Sequence, residues 1–273
     1  MDINLLDRKF RRMGARVKAG PPNGVMALNR QRIAIDIRRD AEGEYFEIRA
    51  PERGGPRIDA VDVRPQQRHL LLLVDDAEGP DGDGDGKQKF LCGHDERAWF
   101  VAAVPEAARV ADVRTAMEAL KPPIVHQSLL KHGVRTRDRN RRRNAGFIRQ
   151  GEWFFLPQPD LQPPEALVLR DEPLRRGNGK PHRVQFLFRR GGTTVYVSRA
   201  HPNGLTLGQY RKFLRRHPEA ASSFTPMRRD MEVYAKGRVA HADHKTIVLP
   251  GWHRVVLNTE TQARAMRSVA FLD

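Results

Sequence analysis

Three histidines and an aspartate stand close together in the segment GRVAHADHKTIVLPGWHRVV, at residues 237–256. If a two-residue turn joins two strands here, His241 and His244 face each other with Cβ atoms about 5 Å apart. This spacing suits one divalent metal ion, with Asp243 or His253 as a further ligand. The same groups would also suit acid–base cleavage of a phosphodiester bond. The segment therefore predicts a candidate catalytic or metal site.

A plainer interpretation competes with this one. In this interpretation the histidines ring the end of a strand and contact phosphate or solvent, without a catalytic or metal-binding role. The segment also lacks the HExxH, HxE…PCxxC and HNH-type patterns, and short motifs often match by chance. Cys92 is the only cysteine. It cannot form an internal disulfide or a multi-cysteine zinc site, so histidine and carboxylate would have to hold any metal.

The chain carries a large excess of positive charge. It has 49 Lys and Arg against 33 Asp and Glu, which gives a formal net charge of +16 and a pI near 10.8. An excess of this size favours a polyanionic partner, and nucleic acid is the commonest one. No standard nucleic-acid-binding motif is present, so this prediction depends on the charge and on the predominance of arginine.

The densest positive run is VRTRDRNRRRNAGF, at residues 134–147. Arginines that neutralise phosphates release counterions, so binding here should weaken steeply with salt. A glycine-rich turn, RRGNGKPHR at residues 175–183, could hold a phosphate on its backbone amides. The outer faces of two basic helices, at the N-terminus and near residues 207–216, add further cations. The cations most directly predicted to contact nucleic acid are Arg135, Arg137, Arg139, Arg141, Arg142, Arg143, Arg175, Arg176, Lys180, Arg211, Lys212, Arg215 and Arg216.

Three aromatic residues, Trp153, Phe154 and Phe155, follow the arginine run. Outward-facing rings of this kind can stack on unpaired bases. Successive strand residues face opposite sides of a sheet, however, so at least one of the three must face inward. We therefore expect these rings to belong to the core.

The hydrophobic patterns predict an α+β protein with antiparallel, hairpin-rich sheets. A basic amphipathic helix is expected over residues 3–18, and an antiparallel meander over residues 31–76. Short inserted helices are expected at about residues 107–120, 124–132 and 207–216.

Glycine and proline positions predict the turns. Gln150-Gly151 and Gly191-Gly192 are each expected to connect the two strands of a hairpin. Pro250-Gly251 is expected to end one strand and begin another, so that the chain closes with three strands.

The acidic segment DDAEGPDGDGDGKQK marks the clearest predicted boundary. The N-terminal helix and meander would occupy residues 1–76, and a flexible acidic loop residues 77–89. A central α+β segment with a helical pair and the arginine run would occupy residues 90–160. A β-rich segment with one basic helix would occupy residues 161–273.

No apolar stretch approaches the roughly 18 residues of a membrane span, and the N-terminus lacks the pattern of a secretory signal. We therefore expect a cytoplasmic protein without a membrane partner. The leading functional prediction is nucleic-acid binding, with RNA favoured over DNA, in a ribonucleoprotein or in a mobile-element or defence system. The alternative is a metal- or histidine-dependent phosphodiesterase or nuclease that uses His241, Asp243 and His244, and a divalent metal belongs to this alternative only.

Overall fold

The computed structural model of the protein describes residues 1–22, 32–51, 54–76, 86–176 and 179–267. Within these ranges the chain forms five α-helices and sixteen strands in mainly antiparallel sheets, which confirms the predicted α+β class. The α-helices are α1 (Ile3–Arg12), α2 (Val113–Ala119), α3 (Pro123–Lys131), α4 (Leu207–Leu214) and α5 (Arg264–Arg267). The strands are β1 (Val17–Gly20), β2 (Ala34–Asp40), β3 (Gly43–Arg49), β4 (Arg57–Arg64), β5 (His69–Asp75), β6 (Lys87–Asp95), β7 (Ala98–Val104), β8 (Ile148–Gln150), β9 (Trp153–Pro157), β10 (Leu169–Leu174), β11 (His182–Arg190), β12 (Thr193–Ser198), β13 (His201–Thr206), β14 (Thr225–Arg229), β15 (Glu232–Ala240) and β16 (Ile247–Leu257).

The first core lies between α1 and two small sheets. β1, β3 and β2 form a three-stranded sheet in which β1 and β3 run parallel, and β4 to β7 form an antiparallel four-stranded sheet. Leu6 and Phe10 of α1 pack in one cluster with Phe46 of the first sheet and Leu70 of the second. α2 packs in a separate cluster with other residues of the four-stranded sheet.

The N-terminal helix is shorter than predicted. α1 ends at Arg12, and Gly14 takes the left-handed conformation (φ +79°) just after the C-cap Met13, as is common at helix ends. Val17 is buried as the hydrophobic pattern requires, but it begins β1 instead of continuing the helix. α2 also begins late relative to the prediction, because Asp112 caps it in a capping box with Thr115.

The six-stranded antiparallel sheet has the order β10-β11-β15-β16-β9-β8 and positions the candidate site. The pairing of β11 with β15 is interrupted between Val184 and Phe186, where β15 has one more residue than β11. Gly237 lies at this bulge with φ +81°, and an added methyl there would come 2.4 Å from Oε1 of Gln185. Only glycine fits this position without rearrangement.

Two of the predicted turns are wrong in this part of the chain. β16 continues through Pro250-Gly251, where its register with β15 shifts, because proline cannot donate to the ladder and is accommodated at a bulge. The segment therefore closes with two strands instead of three. Gln150 pairs with Trp153, so the tight turn between β8 and β9 consists of Gly151 and Glu152.

Gly191-Gly192 does not close a hairpin either. Both edges of β11 are already paired, with β10 and β15, whereas β12 pairs with β13 and β14. The dipeptide leads the chain out of the six-stranded sheet into a small three-stranded sheet, to which α4 adds one short helix. α4 begins at the predicted capping box of Thr206 and Gln209. We call residues 193–229 the arm.

The predicted segment boundaries fall within sheets. β5 and β6 pair from His69 with Gly93 to Asp75 with Lys87, so the acidic segment connects neighbouring strands of one sheet. Residues 77–85 of that segment lie outside the described residues. β9 pairs with β16, so a boundary after residue 160 would also divide one sheet. The predicted meander is divided as well, because β2 and β3 belong to a different sheet from β4 and β5.

Candidate functional site

Three histidine side chains meet at one end of the six-stranded sheet. His182 begins β11, whereas His241 and His244 lie in the loop of residues 241–246 between β15 and β16. One ring nitrogen from each lies within 4.8 Å of the other two. The rings are stacked, with centroids 4.2 Å apart for His182 and His241 and 4.7 Å apart for His241 and His244. We call these three residues the histidine cluster.

The strand register explains why His182 meets His241. Arg183 pairs with Ala240, so the next position along the two antiparallel strands places residue 182 opposite residue 241. The predicted two-residue turn is wrong, since β15 ends at Ala240 and β16 begins at Ile247. The longer loop still brings His244 back to the cluster.

A buried amide orients His182. Gln150 Oε1 lies 2.9 Å from His182 Nδ1, and Gln150 Nε2 donates to the carbonyls of Val239 and Lys245 at 3.3 and 2.7 Å. Because the amide nitrogen is the donor to both carbonyls, the amide oxygen must accept, which assigns the His182 proton to Nδ1. His182 Nε2 is left as an acceptor, 4.0 Å from the Glu152 carboxylate.

The other two rings differ in their partners. Nδ1 of His241 accepts a hydrogen bond from the backbone N–H of Asp243 at 3.1 Å, and its Nε2 donates to the carbonyl of Lys180 at 3.2 Å. His244 packs its Nε2 edge against Gly151, where an added methyl would lie 2.7 Å away. Nδ1 of His244 is buried without a hydrogen-bond partner among the described residues. A buried unpaired nitrogen of this kind costs about 1–3 kcal/mol.

Two rings of the cluster are held in the neutral form. Burial, with smaller contributions from the neighbouring His241 and His244, lowers the pKa of His182 to about 3. The pKa of His244 is also lowered, mainly by burial. Neutral imidazole is the form that binds metal ions and accepts protons.

A cavity of about 700 Å³ adjoins the cluster. His244 and Glu152 form part of its wall, together with the guanidinium-bearing side chains of Arg149 and Arg176. Arg176 is paired with Glu260 at 2.6 Å. The wall also carries His69, Lys121 and three further carboxylates, so the cavity is lined by both acidic and basic groups.

Asp243 does not orient a ring of the cluster through its carboxylate. Lys180 Nζ contacts its two oxygens at 2.8 and 2.9 Å, and this contact holds the pKa of Asp243 below its usual range. Only the backbone N–H of Asp243 contacts His241. A role for Asp243 as the carboxylate partner of an imidazole base is therefore not supported by this geometry.

His253 lies outside the histidine cluster. It pairs with Ala235 on one side and Pro157 on the other, and its Nδ1 lies 2.8 Å from the carbonyl of Gly251. His253 therefore does not lie with His241 and His244 as predicted, whereas His182 does. His182 lies in the segment predicted as a phosphate-binding turn, and a histidine at the start of an alternating strand was the only local signal for it.

The arginine run is partly committed to structure. Arg142 is half-buried and forms ion pairs with Asp95 and Glu96. Asp95 also pairs with Arg149 at 3.2 Å. These ion pairs attach the arginine run to the end of β6. The sequence predicts that Arg142 contacts nucleic acid, but its guanidinium is already paired with carboxylates.

The other arginines of the run are more accessible. Arg135, Arg137, Arg141 and Arg143 are exposed, and Arg139 is half-buried. Arg141 forms an ion pair at 3.1 Å with a neighbouring aspartate, and Arg143 reaches the carbonyl of a residue in β16. These side chains remain candidates for phosphate contact.

The cations of the basic turn before β11 also include both exposed and paired side chains. Arg175 is exposed, Arg176 is paired with Glu260, and Lys180 is paired with Asp243. Residues 177–178, in the predicted glycine-rich turn, lie outside the described residues.

The arm is strongly cationic. It contains one acidic residue, Glu219, and seven basic residues, all of them exposed. These are Arg199, Arg211, Lys212, Arg215, Arg216, Arg228 and Arg229. Arg229 pairs with Asp230, whereas the other six have no ion-pair partner among the described residues.

The aromatic triplet is buried, as predicted. Trp153 and Phe155 pack in the cluster on one face of the six-stranded sheet. Phe154 packs with Phe147 and Leu129 in a different cluster, towards α3. These rings are therefore not available to stack on bases.

Comparison with known proteins finds no family model, no curated protein and no solved structure that matches the chain. None of the helices in the described ranges is both long and apolar enough to span a membrane. The functional interpretation accordingly depends on the geometry and charge of the chain's own residues.

Proposed function

We propose that the protein binds nucleic acid through the arm, with the exposed members of the arginine run as additional contacts. The unpaired positive charge of the arm is the observation that carries this proposal. Six exposed cations without carboxylate partners in the described part of the chain lie on a lobe that contains one acidic residue. Phosphates would supply the counter-charges that the arm itself lacks.

The positive side chains of the arm do not contribute to its internal packing. Val195 is its only buried hydrophobic residue, and the lobe is held together by its small sheet and by ring contacts such as the stack of Tyr196 on Tyr210, with centroids 3.9 Å apart. Arg16 and Lys18, which lie just before and within β1 of the first three-stranded sheet, are by contrast both paired with Asp40. The contrast between paired and unpaired cations favours the arm as the binding surface.

RNA is proposed ahead of DNA. A protein that reads duplex DNA usually inserts a helix or a two-stranded ribbon into the major groove. The main helix of the arm, α4, spans only Leu207–Leu214, and the arm is otherwise a small sheet. A basic, sheet-rich surface fits unpaired or folded strands better.

The test compares two variants that lose the same charge. The arm variant changes Arg211, Lys212, Arg215 and Arg216 to alanine. The control variant changes Lys87, Arg97, Arg109 and Arg114, which are exposed cations outside the arm. Fluorescence anisotropy with labelled single- and double-stranded RNA and DNA of equal length, over a series of salt concentrations, gives the affinity and its salt dependence.

The wild-type protein should bind with a steep dependence of log K on log salt. Each lost phosphate contact reduces that slope by about 0.7 for a single strand, so the arm variant should lose up to about 3 and bind at least about tenfold more weakly. The control variant should change much less. Equal losses in both variants would refute the arm as the binding surface, and absence of wild-type binding near physiological salt would refute the proposal.

A second candidate function is phosphodiester cleavage in the cavity. It is favoured by the position of His244 and Glu152 in a wall that also carries Arg149 and Arg176. An imidazole could act as a general base, while the guanidinium groups would have to exchange their partners Asp95 and Glu260 for the phosphate. End-labelled RNA incubated with the protein should then be cleaved, and His244→Ala should remove cleavage while it preserves binding. Intact RNA after prolonged incubation with excess wild-type protein would refute this function.

A further inference from the structure

We infer that the histidine cluster binds one zinc ion, with the Glu152 carboxylate as the fourth ligand. The inference does not depend on nucleic-acid binding, since none of the four residues lies in the arm. It differs from the site predicted from the sequence, because His182 and Glu152 complete it instead of Asp243 or His253.

The hydrogen bonds assign a lone-pair nitrogen on two of the rings, Nε2 of His182 and Nδ1 of His241, and the latter now accepts from the Asp243 N–H. His182 uses Nδ1 for Gln150 and leaves Nε2 as an acceptor. His241 uses Nε2 as a donor to a carbonyl, which leaves the lone pair on Nδ1. His244 Nδ1 is buried and has no partner in the described part of the chain. A metal-binding histidine characteristically donates its other N–H to an amide or carbonyl oxygen, as His182 and His241 do here.

The distances are longer than those of a closed tetrahedral site, so the side chains would have to move together on binding. Zinc–nitrogen bonds of about 2.0–2.1 Å place ligand atoms about 3.4 Å apart. The three histidines each offer a nitrogen within 4.8 Å of the others, and the Glu152 oxygen lies 4.0 Å from His182 Nε2. A site would therefore need the histidine nitrogens to approach one another by up to about 1.4 Å and the Glu152 oxygen to approach His182 Nε2 by about 0.6 Å, together with rotation of the rings.

Zinc binding requires the rings to leave their stack. An imidazole lone pair lies in the ring plane, and the ring planes are now inclined by only 21–29° to one another. His241 would exchange its contact with the Asp243 N–H for the metal, and His244 would gain the partner that its Nδ1 lacks. His182 is the fixed ligand, because Gln150 holds it from behind.

The donor set selects the type of metal. Three imidazole nitrogens and one carboxylate suit zinc and related transition ions, whereas calcium and magnesium prefer sites made of oxygen ligands. Glu152 lies in the wall of the cavity, so an ion bound here would also face that space.

The test uses the full chain without a histidine tag, stripped with a chelator and then dialysed against a small excess of zinc chloride. Elemental analysis should find one zinc per chain, and calorimetry should give its dissociation constant. Cobalt(II) titrated into a separate stripped sample should develop the intense visible absorption of four-coordinate cobalt. Zinc at or below the level in the dialysis buffer, or a cobalt spectrum equal to that of the aqueous ion, would overturn the inference.

Matched variants test the ligands. His244→Ala and Glu152→Gln should each weaken zinc binding by more than the roughly 10–100-fold that loss of an outer partner causes. His217→Ala removes an exposed histidine of the arm and should bind zinc like the wild type. Equal affinities for all of these proteins would overturn the site. If His244→Ala fails to fold, the cobalt spectrum of the wild type and the Glu152→Gln affinity decide the question.

Discussion

Replacement of Gln150 by leucine should destabilise the protein by about 4 kcal/mol, within limits of about 1 and 8 kcal/mol. Gln150 is 1% exposed, and its amide forms three hydrogen bonds, to His182 and to the carbonyls of Val239 and Lys245. Leucine has a similar volume but no polar atoms, so all three partners lose their bonds. Each buried group left unpaired costs about 1–3 kcal/mol, and the added apolar burial of leucine offsets about 1–2 kcal/mol of the total.

The measurement is urea unfolding followed by tryptophan fluorescence, in buffer with a chelator so that bound metal does not contribute. Trp153 is a local reporter, since its ring lies 6.2 Å from the His182 ring. Gln127→Leu is the matched control, because Gln127 is exposed on α3. An exposed substitution of this kind should change the free energy of unfolding by no more than about 0.5 kcal/mol.

A second substitution separates the two ends of the amide. In Gln150→Glu the side chain can still accept from His182 Nδ1, but it can no longer donate to the carbonyls of Val239 and Lys245. It should therefore destabilise the fold as well. A change below about 1 kcal/mol for Gln150→Leu would refute the conclusion that this amide holds the histidine cluster in place.

Three further predictions concern the N-terminal half and its junction with the rest. Cys92 is fully buried and burial raises the pKa of its thiol, so Ellman's reagent should react with it only after unfolding. Burial lowers the pKa of His69, so stability should be lost as the pH falls below about 6.5, and His69→Gln should reduce that loss by up to about 1.4 kcal/mol per pH unit in thermal unfolding at several pH values. Arg142→Ala should destabilise by about 1–2 kcal/mol in urea, because Asp95 keeps a second arginine partner, whereas Arg141→Ala should change stability by less than about 0.5 kcal/mol.

Local signals predicted several elements well. The capping box of Thr206 and Gln209 begins α4 where the sequence indicates, and α3 differs by one residue at each end from the predicted range. Buried positions such as Met13 and Phe155 also follow from the hydrophobic pattern. These features depend on residues close together in the chain, so a single sequence contains the information for them.

The pairing of the strands could not be predicted from local patterns. Gly191-Gly192 between two alternating runs has the form of a hairpin turn, but the adjacent strands pair elsewhere, because β11 is an interior strand of the larger sheet. Pro250-Gly251 also has the form of a turn, and it is accommodated as a bulge inside β16. In both cases the decision depends on strands far away in the sequence, which local patterns do not specify.

The formation of the histidine cluster also depends on how distant strands pair. Where Phe186 pairs with Lys236, an uninterrupted register would bring His182 opposite Ala240. The extra residue of β15 near Gly237 shifts the register by one, so that His182 faces His241 instead. The meeting of these two rings is thus a consequence of one bulge. The sequence shows the histidines and the glycine, but only the paired strands show that the glycine brings the histidines together.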